Sequence, residues 1–96
     1  MAEYRLSPAA QRDLEAIFDY TVAEWGLQQA VRYIDLIEAA CTALAETPMA
    51  AAACDHIRLG YRRRRVQRHV IYARPEPYGA AIIRILHDSM DAEHHL

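Results

Sequence analysis

Lysine is missing from this 96-residue chain, and all 11 of its basic side chains are arginine. Cysteine occurs twice, at Cys41 and Cys54, without CxxC spacing. That excludes a disulfide framework and offers no metal-ligand pattern, so Cys41 reads as a small buried thiol and Cys54 as an incidental one. The densest apolar stretch, Ala39–Ala45, is far shorter than the ~20 residues of a membrane span. The opening MAEYRLSP has no basic segment followed by an apolar one, so a cytoplasmic protein with no membrane contact is expected. GxGxxG, GKS or GKT, HExxH and GxSxG are all absent, so no cofactor and no metal are expected. Ser7 and Ser89 are the only serines, and a Ser-His-Asp set made of the adjacent His87, Asp88 and Ser89 lacks the cross-fold geometry a triad needs.

What is present is a globular composition, 53% hydrophobic and 25% charged, in one domain's length of chain. The net charge of −2 conceals an asymmetry. Residues 1–50 carry eight acids against three arginines, and residues 51–96 carry eight arginines against five acids. From His56 to Arg74 there are seven arginines and no acid. The all-arginine choice is compositional, but the clustering asks for a partner.

Glu3-Tyr4-Arg5-Leu6 alternates and predicts a first strand. Ser7-Pro8 follows as a helix start, because serine can accept from the exposed amides and proline already has helical φ. Ala10, Leu14, Ile17, Phe18, Thr21 and Trp25 then recur at helical spacing until Gly26. A second apolar stripe, Ala30, Val31, Ile34, Ile37, Ala40, Cys41 and Leu44, runs to Pro48, which cannot continue a helix. The short connection at Gly26 makes the two helices a hairpin. Met49–Ala53 is expected as a loop or single turn. Strands are expected at Tyr61–Val66, Arg68–Arg74 and Ala80–His87, with a turn over Pro75–Gly79. The expected fold is α+β, in the order β-α-α-β-β-β, with the helix hairpin on one face of a small antiparallel sheet. Residues 1–96 form one domain, with a tail from about Ser89 to Leu96 that is expected to fray when alone.

In a strand over Tyr61–Val66, Arg63 and Arg65 share one face while Arg62 and Arg64 share the other. Charges on both faces require an edge or a wet groove, since uncompensated buried charge is costly. The plain alternative is a solvated edge whose charges discourage aggregation. With Arg58, Arg68, Arg74 and Arg84 added and no local acid, an anionic partner weighs equally. Trp25, Tyr20 and Tyr33 are large amphipathic groups on helices with only one sheet face to cover; any left exposed would anchor a partner. Among the histidines, His69 alternates with Ile71, and His87 ends the last strand beside Arg84, where an acid–base group could act on a phosphodiester.

The opening YRLSPAAQRDLEAIFDYTVAEWG, the region HIRLGYRRRRVQRHVIYAR and the ending AAIIRILHDSMD together resemble the ParE toxins of the ParE/RelE superfamily, over essentially the whole chain. The resemblance implies a cytoplasmic toxin that inhibits DNA gyrase without catalysis of its own. It also implies neutralisation by a ParD-like antitoxin, through which alone operator DNA would be contacted. Partner-binding residues would then be Arg58, Arg62, Arg64, Arg68, Arg84, Trp25 and Tyr33. RelE-like cousins instead cut mRNA on the ribosome, which here would fall to Arg84 and His87. The segment after the last strand, His87 to Glu93, lacks the arginine and tyrosine of that pattern.

Overall fold

The computed structural model describes residues 2–96. Its elements run β1 (Glu3–Leu6), α1 (Pro8–Trp25), α2 (Leu27–Glu46), a 3-10 turn (Pro48–Ala50), β2 (Ala52–Ala53), β3 (Arg62–Val66), β4 (His69–Glu76), β5 (Gly79–His87) and a last 3-10 turn (Ala92–His94). Ser7 does two jobs: its hydroxyl accepts from the Ala10 amide at 3.0 Å and donates to the Ile83 carbonyl at 2.7 Å. The cap that starts α1 therefore also ties it to β5. Gly26 alone separates the helices, at φ +89°, a left-handed backbone that glycine adopts without steric cost.

The five strands form one sheet in the order β1-β5-β4-β3-β2. The β3-β4-β5 meander is antiparallel as expected, but β1 runs parallel to β5, so the sheet is mixed rather than antiparallel. The chain leaves β1 into the helix layer and returns only through the meander, and a parallel neighbour requires such a crossover. Gly79 permits the closeness: a Cβ there would lie 2.1 Å from the Glu3 carbonyl oxygen. Two boundaries also differ from expectation. Ala52–Ala53 form a strand against Arg62 and Arg63, and β4 runs through Pro75 to Glu76. Proline fits there because β3 pairing ends at Arg62 opposite Ala73, beyond which no neighbour asks for its missing N–H.

The helices cover one sheet face. Ile17 of α1 and Tyr33, Ile37, Ala40, Cys41 and Leu44 of α2 pack on Ile71, Ala73, Ala80, Ile82 and Ile85. Each fully buried Ile or Leu contributes about 1.5–3 kcal/mol relative to exposure, so this layer holds the fold together. The opposite face carries a second cluster, Cys54, Tyr72, Leu86 and Ala92, flanked by Ile57, Tyr61, Val70 and Leu96. The tail lies against this second face, where Arg58 donates to the Leu96 carbonyl at 2.6 Å and Arg84 to that of His95 at 3.2 Å.

Candidate functional site

The Gly26 reversal brings the end of α1 and the start of α2 over the β3–β4 turn, and the three enclose a cleft of about 480 Å³. From α1 come Tyr20, Thr21 and Trp25, and from α2 come Gln29 and Tyr33, one turn apart. The turn supplies Gln67 and Arg68, and the sheet supplies His69 and His87. Trp25 is 72% exposed and Tyr20 65%, so two large aromatic groups stand at the rim with nothing packed over them.

The floor is built by register. His69 lies opposite His87, with ring centroids 5.4 Å apart at 87°. The Tyr33 hydroxyl donates to the Val66 carbonyl at 3.2 Å and shares a 2.6 Å hydrogen bond with His69 Nδ1. Burial first, and the His87 neighbour second, push the His69 imidazole below the ordinary histidine value of 6.5. Burial likewise raises the Tyr33 phenol. At neutral pH His69 is therefore uncharged, and among the described residues Arg68 is the only permanently charged group lining the cleft. The turn that presents Arg68 is held to the end of β5 by the Asp88 amide, which donates to the Arg68 carbonyl at 2.8 Å. Gln67 takes φ +51°, a left-handed backbone that costs an L-residue about 1–2 kcal/mol. Strain of this kind gathers at ligand-contacting positions.

Trp25, Tyr33 and Arg68 thus come together. Arg62 and Arg64 lie on the same sheet face as His69; Arg62 donates to the Ala51 carbonyl at 3.0 Å and Arg64 is exposed. Among the described residues no aspartate or glutamate lies within ion-pair distance of Arg62, Arg63, Arg64 or Arg68. Arg58 stands apart, in the loop over the second face.

Arg84 is engaged elsewhere. Its Nε and Nη2 donate to the two carboxylate oxygens of Asp13 at 2.7 and 2.8 Å, and Asp13 also accepts from the Ile85 amide at 2.9 Å. The pair is largely buried, with side chains 22% and 14% exposed. Arg84 lies opposite Tyr72 and His87 opposite His69 in one unbroken register, and their three-residue spacing sends them to opposite faces. The Arg84–His87 pairing that phosphodiester cleavage would use is not assembled. Arg65 and Arg74 are also matched within the chain, by Asp88 at 2.8 Å and Glu76 at 2.5 Å.

Gln29, Gln67 and Thr21 joined the cleft without a signal in the residues. Only a two-residue hairpin turn between Val66 and His69 would have placed Gln67. A second, shallower groove of about 320 Å³ runs along the helix hairpin, where Leu14, Phe18 and Ile34 are bordered by Gln11, Glu15 and Asp19.

A helix hairpin on a mixed sheet, with an aromatic-rimmed cleft beside a strand in which Arg62, Arg63 and Arg64 have no carboxylate partner, defines a small α+β protein. The same fold is found in a chain of the structure titled "Chromosomal ParDE TA system from P. aeruginosa", at a TM-score of 0.77 and 21% identity, covering 91% of this chain and 96% of that one. In sequence, the chain is 38% identical over 96 residues to "Toxin ParE1" of Mycobacterium tuberculosis, covering 99% of this chain and 98% of the relative. It is equally 38% identical over 96 residues to "Toxin ParE1" of Caulobacter vibrioides, covering 100% and 99%. Residues 4–92 match the family model described as ParE toxin of type II toxin-antitoxin system, parDE. The chain belongs to the ParE toxin family. No helix among the described residues is long and apolar enough to cross a membrane.

Proposed function

We propose that this toxin acts in the cytoplasm by binding DNA gyrase and so blocking replication, and that a ParD-like antitoxin neutralises it. The observation that carries the reading is whole-length similarity, at 38% identity, to proteins named Toxin ParE1. The geometry supports binding over catalysis, because Arg84 is consumed by Asp13 and turned away from His87. Unmatched Arg62 and Arg64 suit acidic residues of the antitoxin, and the groove at Leu14, Phe18 and Ile34 suits its apolar ones. Operator DNA is reached only through the antitoxin.

Expression of the chain alone, and with its co-encoded partner, tests both halves. Growth arrest with accumulated gyrase–DNA cleavage complexes, relieved by the partner, is expected. Unaffected gyrase supercoiling would remove the target, and primer-extension cuts in translated mRNA would move the activity to RNA. Arg64→Glu should weaken the complex and flatten its salt dependence; an unchanged affinity removes the arginine contact.

A further inference from the structure

The floor of the cleft holds two histidines that gyrase binding gives no reason to place there. The aromatic rim and Arg68 also exceed what the arginine strand alone needs. We propose that the cleft receives an acidic side chain of the antitoxin, flanked by an apolar one, and that this capture takes up a proton on His69, so that the toxin–antitoxin complex tightens as pH falls. The inference rests on the antitoxin reading above and adds the docking position and its regulation.

The charges around His69 carry the argument. Tyr33 faces it from α2, His87 and Asp88 from β5, Asp13 from α1, and Arg68 precedes it in the turn. Of the two acids near His69, Asp13 holds Arg84, while Asp88 holds Arg65 at 2.8 Å and reaches His87 at 3.2 Å, so neither bonds the His69 ring. Burial and the neighbouring ring then keep His69 neutral in the free protein. An incoming carboxylate supplies the missing negative charge.

His87 is fixed by its neighbours: its Nδ1 accepts from the Ser89 amide at 3.1 Å and lies 2.7 Å from the Ser89 hydroxyl and 3.2 Å from Asp88 Oδ1. A volume of about 480 Å³ exceeds one carboxylate group, and exposed Trp25 and Tyr20 offer an apolar wall to the residue beside it. Arg62 and Arg64, on the same sheet face, lead an acidic segment toward the cleft.

The test uses the full chain and a labelled synthetic peptide alternating glutamate with leucine and phenylalanine, titrated at pH 7.5 and 5.5. Affinity should rise about fivefold at the lower pH, since one unit of raised pKa on a single histidine sets a tenfold ceiling. His69→Gln should flatten this response, and so should His87→Gln, which touches only a half-exposed ring and leaves the core intact. Arg68→Gln should weaken binding at both pH values while preserving the ratio. A pH-independent affinity, a ratio preserved in both histidine variants, or no peptide binding at all overturns the proposal. So does tight binding of labelled oligothymidylate that Trp25→Ala abolishes, which assigns the cleft to nucleic acid. Absence of growth rescue by the partner sinks the antitoxin reading separately.

Discussion

Asp13→Ala removes a carboxylate that serves three donors at once: two guanidinium nitrogens of Arg84 and the Ile85 amide. β1 pairs β5 only as far as Ile82, so Asp13 stands in for an edge strand at Ile85. Breaking a buried ion pair from one side costs about 3–5 kcal/mol, because the remaining charge is stranded. The residual exposure of 22% and 14% lets water reach Arg84 and lowers that figure to about 2 kcal/mol. The unpaired Ile85 amide adds about 1 kcal/mol. The sum, about 3 kcal/mol, corresponds to a melting temperature lower by about 12–24 °C in a domain of this size. Urea unfolding followed by far-UV circular dichroism measures it. The double variant Asp13→Leu with Arg84→Met should recover more than half of the loss, since removing both charges leaves neither unpaired. A cost below about 1 kcal/mol for Asp13→Ala, or no recovery in the double variant, would refute the reasoning and return Arg84 to the list of groups free to bind a partner.

Gly79→Ala places a methyl 2.1 Å from the Glu3 carbonyl oxygen at φ +142°, so β1 must separate from β5. A loss of about 3 kcal/mol is expected in urea, together with faster hydrogen exchange of the Glu3 amide, which donates to the Tyr78 carbonyl; an unchanged midpoint contradicts it. Burial pushes the Cys41 thiol from 9.0 up to about 12. The folded state therefore keeps a proton that the unfolded chain gives up above pH 9, and the contribution is complete below 9 and lost as pH rises toward 12. Stability should fall by up to about 1.4 kcal/mol per pH unit across that window, and Cys41→Ala should remove this part of the decline. Equal slopes in the two proteins would show that Cys41 does not titrate there.

The helices were legible because their signals are local. Ser7-Pro8, the stripe from Ala30 to Leu44, Gly26 and Pro48 act within a few residues of themselves. The meander was legible for the same reason, through alternation in the arginine strand and the β-branched run at Val70 and Ile71. β2 was not, since two alanines carry no pattern and the strand exists only because Arg62 and Arg63 offer an edge. Pro75 misled because proline signals a turn unless the neighbouring strand has already ended. At the cleft, Trp25, Tyr33, Arg68 and His87 could each be singled out by residue type. Their meeting depends on the Gly26 reversal and on a contact between residues 33 and 69, which only the folded topology creates. Arg84 shows the converse: its guanidinium reads as free in the sequence, and its partner is 71 residues away.

β1 cannot take its place in the sheet until β5 has been made. β1 has β5 as its only sheet neighbour, and Ser7 reaches an acceptor 76 positions downstream. At translation rates of about 5–20 residues per second, the nascent N-terminus waits about 4–15 s for that partner to be made. A half-synthesised chain therefore lacks the strand that completes its sheet, and the helix hairpin spends those seconds without Ile82 and Ile85 to pack on.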